Sequence, residues 1–254
     1  MSGLQPYPRY RKSGLAWLGD APEHWGSERI KNLARGGRKS FVDGDWIESP
    51  YIQSEGIRLI QTGNIGTGAY REKGYRYISD ETFQELACTE VFPSDILICR
   101  LGDPVGRACL APILGVRMIT SVDVCVLRPR EDVNPSFAVY AMSSPEYLGW
   151  VGSLVRGSTR DRVSRSMLGN FSIPLPPLEE QSAIARFLAH LDRRVLQYIQ
   201  AKQKLMRLLE EQRQSIVQRT VARGLDPSVP VKRTFRNLDQ GDRACASAVP
   251  GSRL

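Results

Sequence analysis

Arginine is the residue type in this 254-residue sequence that most clearly suggests a chemistry. Of 35 cationic side chains, 28 are arginine and 7 are lysine, and the formal net charge is +8. A planar guanidinium can donate two hydrogen bonds to a phosphate or to the edge of guanine, so an arginine excess is typical of nucleic-acid-binding proteins. A GC-rich genome, whose codons favour arginine, explains the excess equally well.

The densest arginine cluster lies between residues 156 and 165, where four arginines face one acid, Asp161. Glycine and hydroxyl residues between them allow a close approach to a DNA backbone. The alternative is an ordinary solvated loop, with about equal weight. We predict DNA contacts from this segment, and the candidate residues are Arg156, Ser158, Thr159, Arg160, Arg162 and Arg165.

Further candidates for DNA contact lie in turns after predicted strands. Gln61, Thr62 and Asn64 follow one such strand, and amide side chains can bond the N6/N7 edge of adenine. Polar residues at a strand end are also common turn formers, which is the slightly favoured interpretation. Arg100 and Arg107 are predicted base contacts of the same kind.

Catalytic residues are not visible in the sequence. The sequence has only two histidines, His24 and His190, and neither is well placed for a histidine-based triad or a two-histidine metal site, so both are interpreted as structural. No phosphate-binding loop is present, and the glycines of 63–68 have the wrong spacing for a dinucleotide site. Asn134-Pro135-Ser136-Phe137 is close to a methyltransferase tetrapeptide but is fully explained as a helix N-cap. We predict a chain that is not an enzyme and that holds no metal or cofactor.

The candidate residues need a scaffold, and residues 23–175 are predicted to form a mixed α/β (α+β) domain with a mixed sheet. Gly/Asn turns separate the strands, and an Asn-Pro pair is predicted to begin a helix. The predicted strands are 57–65, 95–101 and 118–127, and the predicted helices are 80–86 and the segment beginning at Asn134.

Residues 178–223 carry apolar side chains at alternating spacings of four and three, which predicts a helix with a heptad seam. Pro176-Pro177 and Arg223-Gly224 mark its ends. At 1.5 Å per residue the helix is roughly 65 Å long, so we expect an exposed coiled-coil arm that needs a partner helix. The seam residues are Ile184, Leu188, Leu191, Val195, Tyr198, Leu205, Leu209 and Ile216, with Lys202 and Gln212 as polar members.

The composition of the sequence also indicates in which cellular compartment the protein works. The chain lacks a run of 18 apolar residues and has a polar start, so we expect a cytoplasmic protein with no membrane segment. Its five cysteines are odd in number and never form CxxC, so we interpret them as reduced, mostly buried thiols. The predicted divisions are an N-terminal segment (1–22), the globular domain (23–175), the long helix (176–224) and a disordered tail (225–254).

Several segments resemble the specificity subunit of type I restriction-modification systems, over residues 10 to about 233. SGLAWLG at 13–19 with APEHW at 21–25 is similar to that family's opening motif. TGNI at 62–65 and DILICRLG at 95–102 also resemble family segments, although Ser94 and Arg107 replace a glycine and a lysine. The most specific match is IPLPPLEEQ at 173–181, which resembles the start of the family's conserved helix.

The resemblance implies a target recognition domain that binds one half of a bipartite DNA site, followed by a conserved helix that acts as a spacer. In that family the specificity subunit is not catalytic. It joins modification subunits, which methylate adenine with S-adenosylmethionine, and restriction subunits, which use ATP. Those cofactors, with Mg²⁺, would belong to the partners.

The sequence departs from the family in having one recognition domain and one conserved helix where a full-length member has two of each. One interpretation is a half-subunit that homodimerises through the seam and binds a palindromic, interrupted site. The other is a truncated fragment, or a coiled-coil assembly protein, without specific DNA recognition. A methyltransferase or nuclease that acts alone is a further alternative from a different class.

Overall fold

The computed structural model describes residues 6–37, 39–155 and 161–224. The chain divides into two compact units, Met1–Asp192 and Arg193–Leu254. The strands are β1 (Tyr10–Leu15), β2 (Leu18–Pro22), β3 (Gly26–Arg29), β4 (Phe41–Asp43), β5 (Ile57–Ile60), β6 (Tyr77–Ile78), β7 (Ile96–Cys99), β8 (Ala108–Leu110), β9 (Met118–Thr120), β10 (Val124–Leu127) and β11 (Ser172–Leu175). The α-helices are α1 (Asp80–Glu85), α2 (Pro135–Met142), α3 (Pro145–Val155), α4 (Arg165–Asn170) and α5 (Leu178–Arg223).

A four-stranded antiparallel sheet, in the order β4-β10-β7-β8, forms the centre of the first unit. Both of its faces are covered. Ile96 and Ile98 pack into a cluster with α2 and α3, whereas Leu97 and Cys99 pack into a second cluster on the opposite face. Burial on both faces explains why β7 is a continuous apolar run instead of an alternating pattern.

A second sheet has the order β6-β5-β9, with β5 antiparallel to β6 and parallel to β9. The mixed sheet predicted from the sequence is therefore confirmed. The predicted strand over 57–65 is shorter, because β5 ends at Ile60 and residues 62–64 form a 3₁₀ turn.

The predicted single strand over 118–127 is wrong. The structure has two strands here, because β9 pairs with β5 in one sheet and β10 pairs with β4 and β7 in the other. The chain passes from one sheet to the other at the turn Ser121–Asp123. The polar residues Ser121 and Asp123 mark this turn, but the apolar residues around them made the segment look like one continuous strand.

Helix caps explain where the short helices begin. Asn134 Oδ1 accepts a hydrogen bond from the Phe137 amide at 3.1 Å, which confirms the predicted N-cap of α2. Ser164 Oγ accepts from the Met167 amide at 3.1 Å and begins α4, so the arginine-rich segment predicted as a loop ends in a helix at Arg165. The sequence analysis did not predict α3 or α4.

The long helix α5 spans the predicted residues, Leu178–Arg223. Its first turn is anchored in the globular unit through Glu180. The Glu180 carboxylate accepts hydrogen bonds from Tyr7 Oη at 2.8 Å and Trp25 Nε1 at 3.0 Å, and lies 2.7 Å from His24 Nε2. His24 thus has the structural role that the sequence predicts. His190 is exposed on α5.

Four cysteines, Cys88, Cys99, Cys109 and Cys125, are buried free thiols, as predicted. Burial raises the pKa of Cys109 to about 12, so this thiol stays protonated at neutral pH. Cys245 and the predicted tail lie outside the described residues. In the part of the chain that the structure covers, no helix is long and apolar enough to span a membrane.

Candidate nucleic-acid interface

A polar groove of about 360 Å³ opens between loops of the first unit. Its walls are three segments, the turn at 61–64, the loop at 73–76 and the turn at 121–123, with Leu101 beside them. The three segments adjoin the ends of β5, β6 and β10 respectively, and Leu101 lies two residues after the end of β7. Because strand ends of both sheets meet here, side chains far apart in sequence line one groove.

The Tyr70–Tyr77 loop supplies cations that the sequence analysis missed. Lys73 and Arg76 line the groove and are exposed, and their charged side-chain groups form no ion pair or hydrogen bond with any described residue. The signal that could have identified them is the alternation of aromatic and basic residues in YREKGYRY, a pattern suited to stacking and phosphate contact. Gln61 and Thr62, which were predicted, also line the groove and are partly exposed.

Asn64 links two walls of the groove. Its Oδ1 accepts a hydrogen bond from the Gln61 amide at 2.9 Å, and its Nδ2 donates to the carbonyls of Arg71 at 2.9 Å and Lys73 at 2.7 Å. The side chain is buried and both amide hydrogens are used. The predicted contact of Asn64 with a base gains no support from this geometry.

Arg107 holds two further segments together. From a buried position its guanidinium donates to the carbonyl of Ile65 at 2.7 Å and of Thr62 at 2.9 Å. It also donates to the carbonyls of Pro104 at 2.8 Å and Leu101 at 3.3 Å. Arg107 therefore positions the loops around the groove, and a direct base contact would require these bonds to break.

Arg100 holds the turn at 121–123 in a similar way. It donates to the carbonyls of Val122 at 2.8 Å and Val163 at 3.1 Å, and its Nε lies 3.0 Å from Asp43 Oδ1. The side chain is 6% exposed. We interpret Arg100, like Arg107, as a residue that positions loops, and the prediction that either contacts bases stays untested.

The described end of the predicted arginine segment lies beside the groove. Arg162 Nη2 is 2.7 Å from Oδ1 of Asp123, a groove residue, and Arg165 Nε is 3.7 Å from Asp43 Oδ2. Both arginines keep about half of their side-chain surface exposed, at 53% and 45%. The predicted residues Arg156, Ser158, Thr159 and Arg160 lie outside the described residues.

The burial of the predicted seam residues of α5 decreases along the helix. Ile184, Leu188 and Leu191 are partly buried in the first unit. In the second unit the seam side chains are 48–63% exposed; these are Val195, Tyr198, Leu205, Leu209 and Ile216. An exposed apolar stripe of this kind is typical of an interaction surface. Homodimerisation itself stays a prediction.

Metal binding finds no support in the described ranges, where no group of three or more His, Cys, Asp or Glu side chains could hold an ion. The fold and the groove are typical of a binding protein. Polar loops lie at the strand ends of a buried sheet core, and the chain continues into a long helix with an exposed apolar stripe. Residues 50–206 match the family model of the type I restriction modification DNA specificity domain. The chain belongs to this family.

Curated relatives come from Methanocaldococcus jannaschii. The type I restriction enzyme MjaVIII specificity subunit is 23% identical over 227 residues, covering 82% of this chain and 49% of the relative. The putative MjaX specificity subunit is 22% identical, covering 69% and 41%. The chain thus spans about half the length of these curated relatives.

Solved structures show the same fold. A chain from a study of type I R-M system assembly and conformational transition superposes with a TM-score of 0.63 at 21% identity, covering 85% of this chain and 49% of that one. The HsdS subunit from Thermoanaerobacter tengcongensis superposes with a TM-score of 0.55 at 21% identity, covering 85% and 48%. The predicted architecture, a mixed α/β domain followed by a long helix, is confirmed.

Proposed function

We propose that this chain is a non-catalytic DNA-recognition subunit of a type I restriction-modification complex, and that its globular unit binds one half of a bipartite target. The observation that carries the proposal is the groove, whose walls present polar side chains together with exposed cations that have no partner among the described residues. Cations attract phosphates without regard to sequence, whereas hydrogen-bonding groups on fixed loops can distinguish bases.

Within this proposal, Lys73, Arg76, Arg162 and Arg165 contact the DNA backbone or guanine edges. Gln61 and Thr62 are the candidates for base discrimination, as the sequence predicted. Residues 156–160, which lie outside the described ranges, precede Arg162 in the sequence and remain part of the proposed surface. Such a role places the protein in the cytoplasm, where the DNA lies.

The proposed partners use the long helix. A second copy would pair along the seam of α5 and bring a second recognition unit, which gives a two-fold symmetric protein and a palindromic, interrupted DNA site. A modification subunit, and a restriction subunit through the complex, would supply the catalysis and the cofactors S-adenosylmethionine, ATP and Mg²⁺. The exposed seam residues of the second unit support the pairing.

The test is selection of bound duplexes from a random DNA library, followed by affinity measurements over a range of salt concentrations. We expect a defined sequence to be enriched. The Lys73→Ala, Arg76→Ala double variant should bind the enriched duplex with a salt slope about two units smaller, because each phosphate contact contributes roughly 0.9.

The matched control is the Arg9→Ala, Lys12→Ala double variant, which also removes two exposed cations, from β1 and its approach. Neither residue lines the groove, so the salt slope should stay near the wild-type value. Enrichment of no sequence, with binding that vanishes in moderate salt, would favour the alternative of a truncated or assembly fragment without specific recognition.

A further inference from the structure

Arg58 is a buried cation on the central strand of the three-stranded sheet, and the DNA-recognition role proposed above gives it no direct task. It is 1% exposed, although arginine is almost never fully buried unless it is paired. Burying a guanidinium carries a large desolvation cost, which its contacts must offset. What those contacts are therefore indicates what the residue does.

All of the described hydrogen-bond acceptors of the Arg58 side chain belong to the Tyr70–Tyr77 loop. Nη2 donates to the Lys73 carbonyl at 3.1 Å and lies 3.2 Å from Glu72 Oε1, and Nη1 donates to the Gly74 carbonyl at 3.4 Å. The guanidinium carbon also lies 5.0 Å from the ring centre of Tyr75 and 5.4 Å from that of Tyr77. The buried charge is thus surrounded by one loop.

Before Tyr77, the described backbone hydrogen bonds of this loop are few: the Arg71 amide donates to the Asn64 carbonyl, and the Arg76 carbonyl accepts from the Leu59 amide. Only its last residue, Tyr77, belongs to a strand, so most of its carbonyls lack the pairing that a sheet provides. Arg58 and Asn64 supply the missing donors from inside, and both donate to the Lys73 carbonyl. On the outer side the same loop presents Lys73 and Arg76 to the groove.

We propose that Arg58 is a positioning residue for DNA sequence discrimination. It fixes the Tyr70–Tyr77 loop and, through the Lys73 carbonyl that it shares with Asn64, the turn that carries Gln61 and Thr62, so that these two side chains meet base edges in one geometry. The inference rests on the proposed function. Base hydrogen bonds need a donor–acceptor distance near 2.7–3.2 Å, whereas attraction to phosphates tolerates displacement. Loosening the loop should therefore reduce selectivity more than overall affinity.

The decisive variant is Arg58→Lys in the full-length chain, because lysine keeps the charge but has no planar fork to span two carbonyls and two rings. The measurement is the ratio of affinities for the library-selected duplex and a scrambled duplex of equal length. We expect this ratio to fall about tenfold, while affinity for the scrambled duplex and its salt slope stay within about twofold of wild type.

Arg128→Lys is the matched control. Arg128 is also largely buried, donates to the Glu90 carbonyl, lies 3.4 Å from Asp95 and stands over the Phe92 ring at 5.1 Å. None of these residues lines the groove. Its replacement should lower stability by a similar amount and leave the selectivity ratio unchanged, which separates positioning from a general loss of packing.

If Arg58→Lys does not fold, the Glu72→Gln, Tyr75→Leu double variant tests the same point, because both partners are partly or largely exposed and dispensable to the core. A folded variant that keeps the wild-type selectivity ratio overturns the proposal. Wild-type protein that selects no sequence overturns this proposal and the proposed function together. A selective wild type with a selective Arg58→Lys overturns the positioning role alone.

Discussion

The groove and the exposed part of α5 are held together by different kinds of contact. Around the groove, buried side chains join segments distant in sequence, as when Arg107 bonds to carbonyls of residues 62 and 65 on one side and 101 and 104 on the other. In residues 193–223 every backbone bond is local to one helix, and the apolar side chains face outward. The groove is held together by contacts within the described chain, whereas the helix leaves its apolar side chains exposed.

This difference separates what each region contributes to recognition. The groove owes its shape to a few buried donors, so its geometry should depend little on protein concentration. Under the proposed pairing, the helix would gain most of its stability from association, because helices in proteins are stabilised mainly by packing an apolar face against a neighbour. Variants in the two regions should therefore fail in different ways.

The largest expected effect is on association through the helix. Leu205→Glu combined with Leu209→Glu places charges on the exposed seam, and each leucine that a partner buries contributes about 1.5–3 kcal/mol. The dissociation constant of the homodimer should rise at least about a hundredfold, since 1.4 kcal/mol is a factor of ten. Sedimentation velocity over a concentration series measures it.

The control for the seam is the Gln200→Glu, Gln214→Glu double variant, which adds the same charge about half a turn away from the seam. It should associate like the wild type. A seam variant that still associates like the wild type would show that the exposed stripe is not the dimer surface.

The second prediction addresses the groove. Arg107→Met keeps much of the side-chain volume but leaves buried carbonyls without their donor, and each unsatisfied group costs about 1–3 kcal/mol. We expect the free energy of unfolding to fall by about 3 kcal/mol in urea titrations. Arg76→Met, which removes an exposed arginine without a described partner, should change it by less than about 0.5 kcal/mol.

An equal effect of the two methionine substitutions would contradict the view that buried arginines hold the groove together. Arg107→Met and the seam variant can also be compared by how their thermal unfolding depends on protein concentration. The loss caused by Arg107→Met should be independent of protein concentration, whereas thermal unfolding of the seam variant should lose the concentration dependence that an associating wild type shows.

The long helix was the element most predictable from the sequence, and its observed bounds are the predicted ones. Helical bonds join residues four apart, so the pattern of apolar residues and the flanking Pro176-Pro177 and Gly224 specify it locally. The N-cap at Asn134 was predictable for the same reason. The family motifs near residues 95 and 173 likewise fall on real strands, β7 and β11.

The groove could be predicted only in part, because its geometry comes from contacts that no local pattern records. Gln61 and Thr62 were found as residues after a strand, but all four described hydrogen-bond acceptors of the Arg107 side chain and two partners of Arg100 are main-chain carbonyls, which carry no sequence signature. The strand break at 121–123 was hidden for a similar reason. Whether an apolar run continues in one sheet or passes into another depends on the strands beside it.

The third prediction concerns pH and the anchor of α5. Burial raises the pKa of Glu180, but hydrogen bonds from Trp25, Tyr7 and His24 together lower it below its ordinary value of 4.5. The stabilisation is therefore fully present above about pH 4.5 and is lost as the pH falls through the lower folded-state pKa. Glu180→Gln should remove this acid sensitivity, at a cost of about 1 kcal/mol at neutral pH.

Glu179→Gln is the control for the anchor, since Glu179 lies in the same first turn and has no described side-chain partner. Its unfolding free energy should keep the wild-type pH dependence. If Glu180→Gln also keeps it, the carboxylate does not anchor the helix in the way its contacts indicate.

The smallest expected effect tests where the packed part of α5 ends. Tyr140 on α2 donates a hydrogen bond to Asp192 Oδ2 at 2.8 Å, at the last residue of the first unit. Tyr140→Phe removes only this hydroxyl, so the free energy of unfolding should fall by about 0.5–1 kcal/mol.

Tyr198→Phe is the control. It removes the hydroxyl of an exposed tyrosine in the second unit that has no described hydrogen-bond partner, and it should have no effect on the free energy of unfolding of the monomer. Equal losses for the two variants would mean that α5 is held beyond Asp192, and the contrast between a packed helix start and a partner-dependent remainder would fail.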